Sequence, residues 1–156
     1  MLVTEAIAVE HATLIRLMEQ VERVLPRVAS GAEIGRMATM LEGLLEQHRE
    51  LETNFGFLPL DHTLKHRKAL ALLHHDHQEV DARFHQVRQA ATCDQARELL
   101  RAALRASRAH FREEERTILP LLERTLSPTA LRELGDAFKA PSRVKRRPAR
   151  ALRRAR

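Results

Sequence analysis

A chain of 156 residues is long enough to bury a core without staples, and its single cysteine, Cys93, rules out an internal disulfide or a CxxC motif. Leu and Ala dominate the apolar residues and neither Trp nor Tyr occurs, which favours helices over strands. No apolar run approaches the roughly 20 residues of a membrane-spanning helix, and "MLVTEAIAVEH" lacks a basic leader, so the expectation is a soluble, cytoplasmic, all-α protein.

The first predicted helix covers residues 4–27, where Ile7, Leu14, Met18, Val21 and Leu25 recur at helical spacing and His11 fills the missing position of the apolar seam. After a break at "PRVASGAE", a second helix over 34–55 carries Met37, Leu41, Leu44, Leu51 and Phe55, and the position it skips is His48. A loop is expected at "FGFLPLDHT", around Gly56 and Pro59. The third helix, 66–90, has Leu70, Leu73, Val80, Phe84 and Val87 with its gap at His77. "AATCDQ" is read as the next loop, with Cys93 in it; the fourth helix, 94–123, runs through Leu100, Ala103, Ser107, Thr117 and Leu121, with His110 and Glu114 between. A short fifth helix follows, with Ser127 as N-cap, Pro128 at its first position and Leu131, Leu134 and Phe138 as its apolar stripe.

The formal net charge of +6 is unevenly spread. Residues 139–156 carry nine Lys and Arg and no acid, so +6 minus this +9 leaves −3 for residues 1–138. The reading is a helical domain over 1–138 and a basic tail over 139–156, interrupted by Pro141 and Pro148 and not expected to fold compactly. The tail suits a non-specific, salt-sensitive contact with nucleic acid, or a solvated extension.

The two helical pairs repeat one another. "EHATL" and "DHQEV" each place an acid before the first histidine, while "HRELETNFGFLPL" and "HFREEERTILPL" share His, three residues, Glu and then Leu-Pro-Leu. Positions i and i+4 share a helix face, so His48 with Glu52, and His110 with Glu114, can reach one metal or two adjacent ones. Four imidazoles and two carboxylates pointing inward would be costly to desolvate without a cation. Imidazole with carboxylate suits iron or manganese, and no thiolate favours zinc. The ferritin-like alternative needs Glu-x-x-His twice, and that motif is absent from the sequence. Phe55, Phe57, Phe84 and Phe111 read as packing around the site, and His62, His66 and His75 as bystanders; His85 reads as a surface partner of Asp81, and His74 as a possible neighbour of His77.

These motifs, "EH", "HxxxE", "DH" and "HxxxEE" with Leu-Pro, resemble the hemerythrin-like, or HHE cation-binding, family over residues 4–123. The resemblance implies an antiparallel up-down four-helix bundle holding two non-haem irons with an oxo or hydroxo bridge. It implies His11, His48, His77 and His110 as iron ligands and Glu52 and Glu114 as bridging carboxylates. Implied functions are binding of dioxygen, peroxide or nitric oxide, with catalase-like peroxide breakdown, a role in oxidative stress, or iron storage or sensing as alternatives. The family's oxygen carriers have a further histidine one turn before the third-helix ligand, where this chain has Leu73, and a carboxylate five residues after the fourth-helix histidine, where it has Glu115.

Overall fold

A computed structural model describes residues 1–61 and 67–139, with the side chains of 61–74 outside the description. His62, His66, the side chains of Leu70, Leu73 and His74, and the tail beyond Lys139 therefore lie outside the described residues. Among those described the protein is helical throughout and contains no strand. The elements are α1 (Val3–Val24), α2 (Gly31–Glu52), the short α3 (Leu58–Asp61), α4 (Arg67–Arg88), α5 (Cys93–Thr125) and α6 (Pro128–Lys139). No described helix is long and apolar enough to cross a membrane.

Helix boundaries follow local chemistry. Thr92 accepts a hydrogen bond from Gln95 N–H at 3.1 Å and so caps α5, which makes Cys93 the first residue of a helix, not a loop residue. Ser127 does the same for α6 through Ala130 N–H at 3.2 Å, with Pro128 at the first helical position, where its missing N–H has no intrahelical partner to lose.

The loop expected at Gly56 and Pro59 is helical instead. Directly after Glu52 the chain widens into one π-helical turn, Thr53–Phe57, and continues as α3. Gly56 is buried there, its Cα facing Ile7 and Leu122, and Pro59 falls in the first turn of α3, where proline is tolerated. π-helical turns concentrate at functional sites, and this one begins at a site carboxylate.

Helix directions can be read from cross-helix pairs. Thr4 Oγ1 donates to Glu123 at 2.8 Å while Arg108 grips Glu22 at 2.7 and 3.0 Å, so α1 and α5 run in opposite senses. Arg49 holds Asp81 through two 2.6 Å bonds and Arg88 reaches Glu42, which sets α2 against α4 in the same way.

The core is divided in two. One apolar cluster takes Leu14 to Val21 of α1, Leu25 and Val28 just beyond it, Ile34 to Leu45 of α2, Val80 to Val87 of α4 and Ala96 to Phe111 of α5. The other takes Val3 to Ile7 of α1, Phe57 and Leu60, Ile118 to Leu122 of α5, and Leu131 and Phe138 of α6. α6 closes this second cluster, and it comes so near the start of α1 that a β-carbon at Gly135 would lie 2.2 Å from the Met1 carbonyl oxygen.

Two seams differ from their expected positions. On α2 the buried line is Ile34, Ala38, Leu41, Leu45, His48 and Glu52, whereas Met37, Leu44, Leu51 and Phe55 are half-buried on its flank. On α5, Ile118 and Leu122 are buried in place of Thr117 and Leu121. Both shifts are one residue, the drift expected when alternating steps of three and four are extended along a helix of 3.6 residues per turn.

Candidate metal centre

Between the two apolar clusters lies a polar layer. Every long helix contributes to it: His11 from α1, His48 and Glu52 from α2, His77 from α4, and His110 and Glu114 from α5. All six are buried, none more than 7% exposed. The i, i+4 spacing puts His48 Nε2 3.0 Å from Glu52 Oε1, and His110 Nε2 3.2 Å from Glu114 Oε1.

The layer resolves into two overlapping groups: His11, His48, Glu52 and Glu114, and His77, His110, Glu52 and Glu114. Within each group, one ligand atom per residue lies within 4.8 Å of all the others. The carboxylates are shared, one oxygen to each side. Glu52 Oε1 is 3.2 Å from His11 Nε2, and Glu52 Oε2 is 4.0 Å from His77 Nε2. Glu114 Oε2 is 3.4 Å from His11 Nε2, and Glu114 Oε1 is 3.7 Å from His77 Nε2.

Apart from the hydrogen bond between His11 Nε2 and Glu52 Oε1, these contacts are close but poor hydrogen bonds. Glu52 Oε2, both oxygens of Glu114 and both ring nitrogens of His110 are buried with no hydrogen-bond partner among the described residues. Each orphaned polar atom would cost roughly 1–3 kcal/mol in a metal-free core. A cation satisfies them together, because lone pairs that meet at a common point are badly placed for one another and well placed for a positive centre. Ligands at right angles around an ion about 2.1 Å away lie about 3.0 Å apart, the scale seen here. The donor set of imidazoles and carboxylates therefore fits a first-row transition-metal ion.

In the metal-free state protons partly play that role. Burial alone would lower the His11 pKa, but Glu114 and Glu52 beside it outweigh burial and raise it to about 10. For His48, burial is likewise overcome by Glu10 and Glu52, and the pKa stands at about 9. Glu52 is pushed up by its burial and pulled down harder by His11 and His48, ending well below the usual carboxylate range.

Residues 68–140 match the Hemerythrin HHE cation binding domain. Over those residues the chain is similar to that family, as its motifs implied. The match spans α4, α5 and α6, just under half of the chain, and includes His77, His110 and Glu114. It leaves out His11, His48 and Glu52, which the fold brings to the same layer in the mirrored arrangement. No curated protein and no solved structure gives a significant match.

The aromatic and peripheral residues complete the surroundings. Phe111 stacks on the His11 ring at 4.2 Å and meets His48 edge-on at 5.3 Å, while Phe57 lies 6.3 Å from His77. His75 and His85 are exposed. His85 contacts Arg88 and Gln89, not Asp81, because Asp81 is taken by the two-pronged bond from Arg49.

Two neighbours of the layer make contacts that sequence reasoning did not assign, although it named Glu115 as the position of the oxygen carriers' carboxylate. Glu10 Oε2 lies 3.1 Å from His48 Nδ1, and Glu115 Oε1 lies 3.0 Å from His11 Nδ1. Glu115 thus sits behind an imidazole, outside both ligand groups, although the oxygen carriers use a carboxylate at its position. The signal for Glu10 was the acid preceding the histidine in "EH"; what was invisible is that it serves the histidine of the next helix.

Proposed function

We propose that the chain is a non-haem di-iron protein in which His11, His48, His77 and His110 hold two irons bridged by Glu52 and Glu114, on an antiparallel up-down four-helix bundle. The observation that carries this reading is the sharing of Glu52 and Glu114, each offering one oxygen to either pair of imidazoles. The proposed ligand is a small oxidant or diatomic molecule: dioxygen, peroxide or nitric oxide. When bound, iron supplies one-electron redox chemistry and an exchangeable position for such a molecule.

The surrounding residues support a small ligand. A cavity of about 10 Å³, room for roughly one water, adjoins the layer and is lined by Leu45, His48, His77, Val80, His110 and Phe111. Leu45, Val80 and Phe111 give it an apolar wall, and Arg49 and Ser107 also line it. Glu52 and Glu114, buried between imidazoles, are the groups able to accept or return a proton inside the layer.

The test is metal analysis and an optical spectrum of aerobically purified protein, followed by exposure to peroxide, dioxygen and nitric oxide. About two irons per chain with a near-ultraviolet charge-transfer band, altered by one of these molecules, is the expected result. Oxygen release from peroxide would identify the catalase-like form of the activity, and stable iron without any reaction would indicate storage or sensing. Zinc alone, bound without spectral response, overturns the di-iron reading.

A further inference from the structure

The two halves of the layer are built differently. His11 and His48 each have a carboxylate at the rear nitrogen, 3.0 and 3.1 Å away, and their Nε2 atoms face each other at 3.0 Å. A ring N–H that donates backward fixes the ring orientation and reserves Nε2 for the layer, where a cation takes it once its proton is displaced. His110 lacks this support, because its Nδ1 is buried with no hydrogen-bond partner among the described residues.

The internal repeat explains the asymmetry. Glu10 precedes His11 and reaches across to His48; the corresponding residue before His77 is Asp76, one methylene shorter, which lines the same groove as His110 but makes no hydrogen bond to it. Glu115 lies five residues after His110, and the residue five after His48 is Thr53, which carries no carboxylate. Contacts between imidazole and bridging carboxylate also differ, at 3.0–3.4 Å around His11 and His48 and 3.2–4.0 Å around His77 and His110.

We propose that Glu10 and Glu115 are positioning residues that preorganise the half-site of His11, His48, Glu52 and Glu114, so that it takes a first-row divalent cation before, and more tightly than, the half-site of His77, His110, Glu52 and Glu114. This rests on the reading that the layer holds two cations. The unequal halves give the protein an ordered loading sequence.

The experiment is an anaerobic titration of the metal-free full chain with cobalt(II), followed by its visible absorption and by competition with a chelator. Two resolved steps are expected. Glu10→Gln and Glu115→Gln should each weaken the first step by about 10–100-fold and leave the second in place. Both side chains are part-exposed, 32% for Glu10 and 42% for Glu115, so the variants retain the core. His48→Ala should abolish the tight step, whereas His110→Ala should abolish only the weak one.

Two equal steps in the wild type, or variants that weaken both steps alike, would overturn the ordering. Binding of fewer than two cobalt ions by the wild type would instead overturn the two-cation reading beneath it. A general loss of structure is distinguished by the second step, which only the ordered scheme leaves unmoved.

Discussion

His11 and His48, on neighbouring helices and 37 residues apart, bring their Nε2 atoms to 3.0 Å inside a buried layer. Two imidazole nitrogens at that separation need a proton or a cation between them and the carboxylates. The fold thus stores a demand for positive charge, and a ligand that binds the folded chain alone stabilises it by mass action. Adding cobalt(II) or iron(II) anaerobically at about 100 times its dissociation constant should contribute about 2.7 kcal/mol. For a domain of this size that raises the melting temperature by about 5–10 °C, measured by circular dichroism against a chelated control. An unchanged melting temperature would mean that the layer holds no cation.

On the proposed di-iron reading, bridging and terminal ligands make different predictions. Because each of Glu52 and Glu114 gives one oxygen to each half-site, Glu52→Gln or Glu114→Gln should weaken both cations together. His77→Ala should weaken only one. Equilibrium dialysis with metal quantification separates the two patterns, and a Glu52 variant that lost a single ion would contradict the shared geometry.

Proton and metal compete for the same nitrogens, with opposite pH dependences. His11 and His48, raised to about 10 and about 9, stabilise the metal-free fold fully below about pH 6.5 and lose that contribution as pH rises through 9 to 10. Glu52, lowered from 4.5, contributes stability that is present above that value and is lost as the pH falls toward its depressed pKa. Metal requires neutral imidazole, so cobalt(II) affinity should rise from pH 6 to pH 9, by up to about tenfold per pH unit for each proton displaced. Calorimetry in buffers of different ionisation enthalpy should detect proton release at pH 7; metal uptake without proton release would show that the imidazoles were already neutral.

The histidines were legible because each interrupts an apolar seam: a polar residue where periodicity demands Leu is visible without a structure, and five such interruptions, at His11, His48, His77, His110 and Glu114, point to one layer. The α2 register was not, since Leu41 belongs to both the expected and the actual stripe and a one-residue drift costs the pattern little. The helical path through Gly56 and Pro59 was hidden by residues that normally signal a turn, and here burial against Ile7 and Leu122 overrides that signal. The contacts of Glu10 and Glu115 were hidden for a different reason: their partners lie on other helices, and no spacing along one helix encodes a contact across two.

The same substitution should have opposite effects at two helical glycines. Gly43, within α2, has open space where a β-carbon would stand, so Gly43→Ala should gain about 0.5–1 kcal/mol from helix propensity and raise the melting temperature by a few degrees. Gly135, within α6, gains the same propensity but meets backbone: its β-carbon would lie 2.2 Å from Met1 O, 2.9 Å from Leu2 C and 2.9 Å from Val3 N. Backbone cannot swing aside as a side chain can, and overpacking of this kind costs about 1–3 kcal/mol, which outweighs the propensity gain. Gly135→Ala should therefore lower the melting temperature, by up to about 8 °C, as α6 separates from the start of α1. The polar layer of His11, His48, Glu52, His77, His110 and Glu114 is held by the four long helices, so cobalt(II) stoichiometry should be unchanged in both variants. A Gly135→Ala protein as stable as wild type would mean that α6 does not dock where Met1 and Val3 place it.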